Sequence, residues 1–183
     1  MARVIANRLR PWLVDLLQSR QHCSVQGNTV LEAIATVKEA VVYVEINNAL
    51  CILSLDFKVT FDNISHSYLF TMLKACGFTE GFQQRIKAMN EVATSSMQIS
   101  GRITNPTPIR YSIRQGCPLS MQFFAICLNP LICILDERLP GTQTGRRNKE
   151  TNVLAYADVT IIVTSPADIQ PIREAMRRYQ AAS

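Results

Sequence analysis

Two short apolar runs restrict the fold of this chain more than any other feature. They are ALCILSLDF at residues 49–57 and NVLAYADVTIIV at residues 152–163. The first run has the length of a buried strand and is too short for a helix, and the second divides at Ala157-Asp158 into two strand-like halves. Because neither run can bury itself alone, we expect the first strand to lie beside a hairpin formed by residues 151–164.

Capping signals and apolar periodicity predict helices around these strands. Thr29 and Glu32 have the spacing of a capping box, which predicts a helix that starts near Thr29. Ser65 opens a further helix and Gly77 closes it, and a long apolar helix follows over residues 120–138. Helices combined with short strands indicate an α+β fold.

The start of the final helix is predicted from three residues near the C-terminus. Ser165 has the character of an N-cap, Pro166 suits a first helical turn, and Asp168 completes an S-x-x-D capping box with Ser165. We therefore expect the chain to end in a helix that follows the predicted hairpin directly.

Composition narrows the class of protein. The chain is 48% hydrophobic and 18% charged, which excludes a disordered acidic tail, a collagen-like repeat and a coiled coil. The formal net charge of +5 and the pI of about 9.0 suit a polyanionic partner. Many soluble proteins carry as much charge without binding nucleic acid, so charge alone does not identify the partner.

No segment of the sequence is predicted to cross a membrane or to act as a secretory signal. The longest apolar stretch, residues 121–135, is about one-third short of a membrane span and contains Gln122, Asn129 and Pro130. The N-terminal residues MARVIANRLR lack a continuous apolar core. The six cysteines form no C-x-x-C pair and mostly lie in apolar runs, which favours reduced thiols in an intracellular protein. Nuclear and cytoplasmic locations are both open.

Two aspartates stand where phosphoryl-transfer chemistry needs carboxylates. Asp56 ends the first strand, and Asp158 lies at the tip of the predicted hairpin. Two carboxylates brought together there can hold divalent cations roughly 3.5 to 4 Å apart, which activate one oxygen and stabilise another. Each aspartate taken singly is also typical of a turn or a cap, and that interpretation stays open. We interpret Asp62, just before the Ser65 helix, as structural.

Three motifs in a fixed order resemble those of a known family. The string LSLDFKVTFDNISHSYLF at 53–70 resembles the first catalytic motif of reverse transcriptases of non-long-terminal-repeat, LINE-type retrotransposons. IRQGCPLS at 113–120, followed by FFAICLNPL, resembles a loop and helix of the same family. AYADVTIIV at 155–163 resembles its third motif, normally written with A-D-D. The upstream strings ANRLRPWLVDLL and QHCSVQGNTV resemble its fingers segment, so the resemblance covers nearly the whole chain.

The resemblance implies an α+β reverse transcriptase palm, an antiparallel sheet backed by helices, with partial fingers and no thumb. Residues 1–48 are expected to form a partial fingers-like helical segment, and residues 49–183 a palm-like segment with motifs at 54–70, 113–120 and 153–163. Together they are expected to be one incomplete domain. The thumb and endonuclease segments that normally belong to the same polypeptide are expected to be missing.

The resemblance also implies a catalytic metal site. Asp56 and Asp158 match the catalytic metal ligands of the family, and the backbone carbonyl of Phe57 matches a further ligand. The implied cofactor is Mg²⁺ in a two-metal site, and the implied partners are an RNA template, a DNA primer and deoxynucleotides. No membrane partner is implied.

Nucleotide and template contacts are implied in the same way. Phe61 matches the aromatic residue that closes the sugar pocket and excludes a ribonucleotide 2′-hydroxyl, while Gln115 and Gly116 match the loop beside the incoming nucleotide. The residues matched to template and primer contacts are Arg110, Arg114 and Pro118. Without the motifs, the phenylalanine is equally typical of a core, the glycine of a turn and the arginines of solvated strands.

The sequence departs from the family pattern at two positions that bear on activity. The chain has Ala157-Asp158-Val159 where the family has A-D-D, so one carboxylate is absent. We interpret the change as a one-residue deletion. Either the turn becomes one residue shorter, or the side chains of one strand move to the opposite face of the sheet. Asn28 stands where the family usually has arginine, which predicts the loss of a template or triphosphate contact.

The leading hypothesis is therefore an RNA-directed DNA polymerase core in a truncated and catalytically impaired form. The isolated chain is expected to be inactive. The alternatives are a non-catalytic palm module that binds nucleic acid and an unselected mobile-element remnant. Salt-dependent binding to a primer–template separates these two alternatives.

Overall fold

The computed structural model of the protein describes residues 2–23, 25, 27–57, 63–91, 94–109, 116–139 and 153–183. Its α-helices are α1 (Ala2–Leu9), α2 (Leu13–Leu16), α3 (Val30–Ile46), α4 (His66–Ala75), α5 (Glu80–Glu91), α6 (Ser120–Arg138) and α7 (Ile169–Ala182). Its strands are β1 (Cys51–Asp56), β2 (Thr94–Ser95), β3 (Gln98–Ile99), β4 (Arg102–Ile103), β5 (Thr107–Pro108), β6 (Val153–Tyr156) and β7 (Val159–Thr164). Short 3₁₀ helices, Arg10–Trp12 and Pro166–Asp168, precede α2 and α7.

The central sheet is antiparallel, with strand order β1-β7-β6. Strand β1 pairs with β7 in a register that runs from Cys51 opposite Thr164 to Asp56 opposite Val159. Strands β6 and β7 form a hairpin. This arrangement confirms the predicted position of the first apolar run beside the hairpin. Two short ladders, β2 with β5 and β3 with β4, lie between α5 and α6 in the chain.

One face of the sheet closes the main hydrophobic core. Val153, Ala155 and Ile162 belong to the buried core cluster, and Leu53 and Leu55 pack against it. Side chains alternate between the two faces of a strand, so these five residues share one face. Side chains of α4, α6 and α7 contribute to the same cluster, including Leu69, Leu73, Leu128, Leu131, Ile132 and Ile172. The helices thus back the sheet as a layer, as an α+β fold requires.

Helix α3 covers part of the opposite face. It contacts all three strands of the sheet. Leu154 and Val163 are buried but lie outside the main core cluster, and by alternation they face away from it. On α3 itself the buried residues are Ala33 and Ala40, whose small side chains let the helix lie close to the strands. This second face is therefore closed by α3 at one end and open at the other.

The outer edge of β6 is paired by the chain upstream of α3. The backbone N–H of His22 donates to the carbonyl of Ala155 at 2.8 Å, and the N–H of Ala155 donates to the carbonyl of Arg20 at 2.9 Å. Gln21 forms a parallel bridge with Ala155. An exposed sheet edge is a site for unwanted strand pairing, and this segment covers it.

Most helix ends follow the capping signals, and one does not. The Thr29 side chain accepts from the N–H of Glu32, and the Glu32 carboxylate accepts from the N–H of Thr29, so the capping box is confirmed. Gly77 closes α4 with φ +79°, as predicted. The predicted box at the last helix is wrong: the Ser165 hydroxyl donates to the Asp168 carboxylate at 2.7 Å instead of accepting a backbone N–H.

Helix α6 is the main core helix. Its buried residues include a continuous run from Gln122 to Leu128. Among the helices that the structure describes, it alone is long and apolar enough to pass a length-and-composition test for a membrane span, and most of the stretch is buried inside the protein. That burial is typical of the core helix of a globular fold.

Side-chain amides on α6 hold the N-terminal helices in place. The Gln122 amide donates to the carbonyl of Ala6 at 2.9 Å. The Asn129 side chain accepts from the N–H of Gln18 at 2.7 Å and donates to the carbonyl of Leu16 at 3.4 Å. The Gln122 bond thus ties α1 to α6, and the Asn129 bonds engage backbone groups at the end of α2 that lack a helical partner.

We expect Asn129→Ala to lower the free energy of unfolding by about 1 to 3 kcal/mol, because it leaves the half-buried N–H of Gln18 without its acceptor. Chemical denaturation measures the change. The control is Gln84→Ala on the exposed side of α5, which should change stability by less than about 0.5 kcal/mol. Equal effects of the two substitutions would show that Asn129 does not hold the N-terminal segment.

Candidate active site

The sheet brings the two predicted carboxylates to one corner. Asp56 is the last residue of β1, and Asp158 directly precedes β7, the strand that pairs with β1. The N–H of Phe57 donates to the backbone carbonyl of Asp158 at 3.1 Å, so the pairing of β1 with β7 continues up to the hairpin tip. The Asp56 side chain is exposed and that of Asp158 is half-buried.

The hairpin tip is a two-residue loop. Tyr156 pairs with Val159, which leaves Ala157 and Asp158 as the loop residues. Ala157 has φ +52°, and Asp158 is not among the residues of positive φ. A positive φ at the first loop position alone is the type II′ pattern, where glycine is usual. The alanine Cβ makes this conformation strained, by about 1 to 2 kcal/mol.

The strand register shows which residue occupies the open position beside Asp56. Residues paired directly across an antiparallel ladder point to the same face, so Val159 shares the face of Asp56. Val159 is 38% exposed, and the next residue, Thr160, is fully buried on the other face. An apolar side chain therefore lies beside the exposed carboxylate. Whether a residue was deleted here stays a prediction, since the two-residue loop closes the hairpin without an added residue.

Aromatic rings fix the end of β1 from the core side. The ring of Phe57 meets that of Tyr179 edge-on, with centroids 6.4 Å apart, and Tyr179 meets Tyr68 in the same way at 6.0 Å. The Tyr68 hydroxyl donates to the carbonyl of Cys127 at 3.1 Å. Burial, with a smaller contribution from Cys127, raises the pKa of Tyr68 to about 12. Burial also raises the pKa of Tyr179, so both phenols are neutral at physiological pH.

The loop before α6 is described from Gly116 onward. Gly116 has φ +79°, a conformation that favours glycine, and no atom lies within 4 Å of the position that a Cβ would take there. Gly116 and Pro118 are both exposed. Four of the site residues assigned from the sequence lie outside the described residues: Phe61, Arg110, Arg114 and Gln115. Asp62 lies outside them too.

Asn28 has a structural contact in this fold. Its side-chain amide donates to the backbone carbonyl of Gln21 at 3.2 Å. Gln21 is the fully buried residue that bridges to β6, so Asn28 supports the segment along the sheet edge. This contact engages the asparagine with its own chain, at the position where the family usually has arginine.

The donor set at the corner is two carboxylates. Within the part of the chain that the structure describes, no three His, Cys, Asp or Glu side chains form a group suited to a metal ion. Mg²⁺ commonly binds through one or two carboxylates together with substrate phosphates. Asp56 and Asp158 are carboxylates of the kind that Mg²⁺ uses, and Val159, on the face of Asp56, adds no further one. The sequence shows Val159 at the place where a carboxylate is absent, and the register adds that it shares the face of Asp56, which the sequence alone does not reveal.

Comparisons with known proteins point in one direction. The family model described as reverse transcriptase (RNA-dependent DNA polymerase) matches residues 1–182. The chain is 30% identical over 185 residues to the Transposon TX1 uncharacterized 149 kDa protein of Xenopus laevis, which covers 100% of the chain and 14% of that protein. It is 32% identical over 112 residues to a retrovirus-related Pol polyprotein from type-1 retrotransposable element R2 of Popillia japonica. That match covers 61% of the chain and 18% of the polyprotein, so the chain spans less than a fifth of either relative.

Solved structures share the fold. Apo telomerase from Candida Tropicalis, truncated from its C-terminal domain, matches with a TM-score of 0.65 over 98% of this chain and 38% of that one. A second structure of apo telomerase from the same organism matches with the same TM-score over 98% of this chain and 34% of that one. The identities are 13% and 12%, so these similarities show the fold alone. They confirm the predicted fold class.

The positive φ of Ala157 predicts that glycine is more stable at this position. We expect Ala157→Gly to raise the free energy of unfolding by about 0.5 to 1 kcal/mol, because glycine adopts a positive φ without a Cβ clash. The control is the same substitution in a helix, Ala88→Gly on the exposed side of α5, which should lower stability by a similar amount. Thermal denaturation of both variants gives the two signs, and destabilisation by both would rule out strain at the tip.

The register makes a second prediction. Val159→Asp places a carboxylate on the face of Asp56, so we expect roughly tenfold tighter binding of Mg²⁺ or Mn²⁺ by isothermal titration calorimetry. Without metal the same variant should be less stable than the unaltered chain, because like charges directly opposite in a ladder repel. Val159→Asn is the control of equal size and no charge. Equal metal affinity of the Asp and Asn variants would mean that this position does not face the site.

Proposed function

The chain belongs to the reverse transcriptase family, and we propose that it forms the palm of an RNA-directed DNA polymerase with an impaired catalytic centre. Its relatives in retrotransposable elements confirm the resemblance to LINE-type reverse transcriptases that the motifs gave. The proposed substrates are deoxynucleotides and a DNA primer paired to an RNA template. These substrates are proposed for the longer protein to which a chain of this kind corresponds, since this chain matches only part of its relatives.

The observation that carries the proposal is the register of β1 with β7. It places Asp56 opposite the first residue of β7 and Asp158 at the adjoining tip. Carboxylates from two distant segments of the sequence thereby reach one exposed corner, on the face that α3 leaves open. The hairpin loop accounts for Asp158 as a turn residue, and the β1–β7 pairing brings the strand end of Asp56 next to it.

We assign a divalent cation to this corner, held by Asp56, Asp158 and the backbone carbonyl of Phe57. When bound, such a cation activates the primer hydroxyl and neutralises charge on the phosphates. The chain's own contribution is to hold the carboxylates in place. The Phe57 N–H bonds to the Asp158 carbonyl and joins the two strand ends, and the Phe57 ring packs against Tyr179.

The nucleotide and template contacts remain proposals from the motifs. Gly116 and Pro118 are exposed in the loop before α6, which leaves the backbone there accessible to a nucleotide or a template base. Phe61 and Gln115 are assigned to the nucleotide, and Arg110 and Arg114 to the template. The net charge of +5 suits a polyanionic partner of this kind.

Val159 supports a second candidate function. A valine beside Asp56 removes one negative charge from the proposed metal site, which weakens cation binding and the positioning of the primer end. A palm that binds nucleic acid without catalysis fits the same geometry. Binding and catalysis must therefore be measured separately.

We expect the purified chain to show little or no primer extension with Mg²⁺ or Mn²⁺, because a metal-site carboxylate is absent. Val159→Asp should raise extension, and adding Asp56→Ala to that variant should abolish the gain. Primer–template binding is followed in parallel over a range of salt concentrations, and affinity should fall as salt rises if phosphates are contacted. Robust extension by the unaltered chain that Asp56→Ala abolishes would contradict the impaired centre. Salt-independent or undetectable binding would contradict the binding function.

A further inference from the structure

A groove lies between the N-terminal helices and the start of α5, apart from the corner of the two aspartates. Its volume is about 670 Å³, which is within the usual range of ligand sites in proteins. None of the residues that line it belongs to the sheet or to the loop before α6. The residues that define its two sides, called here the α1–α5 groove, are Val4, Arg8, Trp12, Phe78, Phe82 and Arg85.

Each side of the groove presents an arginine together with aromatic surface. On the first side, Val4, Arg8 and Trp12 are four residues apart in helical backbone, so they follow one another along one face. On the second side, the ring of Phe78 stacks on that of Phe82, with centroids 4.9 Å apart. Arg85 comes about one helical turn after Phe82. The two sides therefore offer the same two kinds of contact.

The aromatic part of the groove has room for a flat ligand. Phe78 and Phe82 pack against the hydrophobic core, which fixes their rings. Trp12 is 65% exposed, although tryptophan is on average highly buried in folded proteins. Gly81 also lines the groove, and no atom lies within 4 Å of the position that a Cβ would take there. An exposed indole thus stands at the edge of open space.

The charged groups of the groove are all positive. Arg8 and Arg85 are exposed, and within the part of the chain that the structure describes neither guanidinium has an ion pair or a hydrogen bond. Asp15 and Glu80, the acidic residues nearest to these segments in sequence, do not line the groove. Guanidinium groups bind phosphate through paired hydrogen bonds. The groove is therefore complementary to an anion that also has a flat apolar face.

Single-stranded nucleic acid has both properties. An unstacked base places its flat face against an aromatic side chain, and the phosphates on either side of it bind arginines. Two arginines provide for two phosphates, which a strand supplies and a nucleoside monophosphate does not. An acidic peptide supplies the charges without a flat group at each position.

We propose that the α1–α5 groove binds a single-stranded segment of nucleic acid, with a base against Trp12 and flanking phosphates on Arg8 and Arg85. This contact is additional to the template and primer contacts assigned above. It lies outside the catalytic corner and needs no cation there, so it does not depend on the metal site.

The fluorescence of Trp12 tests the proposal directly, because it is the only tryptophan in the chain. Oligouridylate, whose bases are unstacked, should quench this fluorescence to saturation. Arg8→Gln and Arg85→Gln should each weaken binding roughly fivefold or more and lower the slope of log affinity against log salt by about one. Arg3→Gln makes the same change of charge on α1 outside the groove and should leave both quantities nearly unchanged.

Two further variants separate binding from folding and from the metal site. Gly81→Leu fills the groove without a change of charge, and leucine favours a helix more than glycine does. This variant should keep its fold by circular dichroism and lose most of the quenching. Asp56→Asn should leave the quenching unchanged, so a failure of the proposed metal site does not affect this test.

Four results would overturn the proposal. The first is an absence of quenching by oligouridylate, and the second is an equal effect of Arg8→Gln and Arg3→Gln. The third is binding of uridine monophosphate as tight as that of oligouridylate, which would assign the groove to a free nucleotide. The fourth is binding of polyglutamate as tight as that of oligouridylate, which would assign it to an acidic peptide.

Discussion

The hydrogen bond from the Phe57 N–H to the Asp158 carbonyl continues the β1–β7 ladder to the hairpin tip, and the rest of the palm depends on the register to which it belongs. Side chains alternate along a strand, so a shift of one residue would exchange the two faces of β7. Ile162 and Thr160 would leave the core, and Val159 would turn inward, away from the face of Asp56. The burial of one face and the side chains presented on the other are thus fixed by the same pairing.

The two faces of β7 differ in how strongly the core fixes their side chains. On the core side, Thr160, Ile162 and Thr164 are buried, which requires β7 to keep its register whatever happens at the tip. On the open side, the tip has a left-handed alanine and an exposed valine. Core packing therefore holds the register of β7 independently of the side chains at the tip and on the open face.

The sequence predicted the features that depend on local chemistry or on apolar pattern. The capping box of Thr29 and Glu32, the glycine at the end of α4 and the pairing of the first strand with the hairpin all follow from residue type and spacing. The pairing of Val159 with Asp56 did not, because Asp56 comes from a strand about a hundred residues earlier in the chain. The cap at Ser165 failed because its hydroxyl bonds to the Asp168 carboxylate, a choice between two acceptable partners that spacing does not reveal. The α1–α5 groove was not predicted either, since its two sides come from separate segments of the chain.

The central claim is that the β1–β7 register makes Asp56 and Asp158 one cation-binding corner. Paramagnetic broadening of backbone amide signals by Mn²⁺, observed by NMR, tests it most directly. The account predicts that Mn²⁺ broadens the amide signals of Phe57, Asp158 and Val159 together, and that Asp56→Asn reduces the broadening of all three. Broadening confined to one of the two strands, or broadening at Asp158 and Val159 that survives Asp56→Asn unchanged, would contradict it.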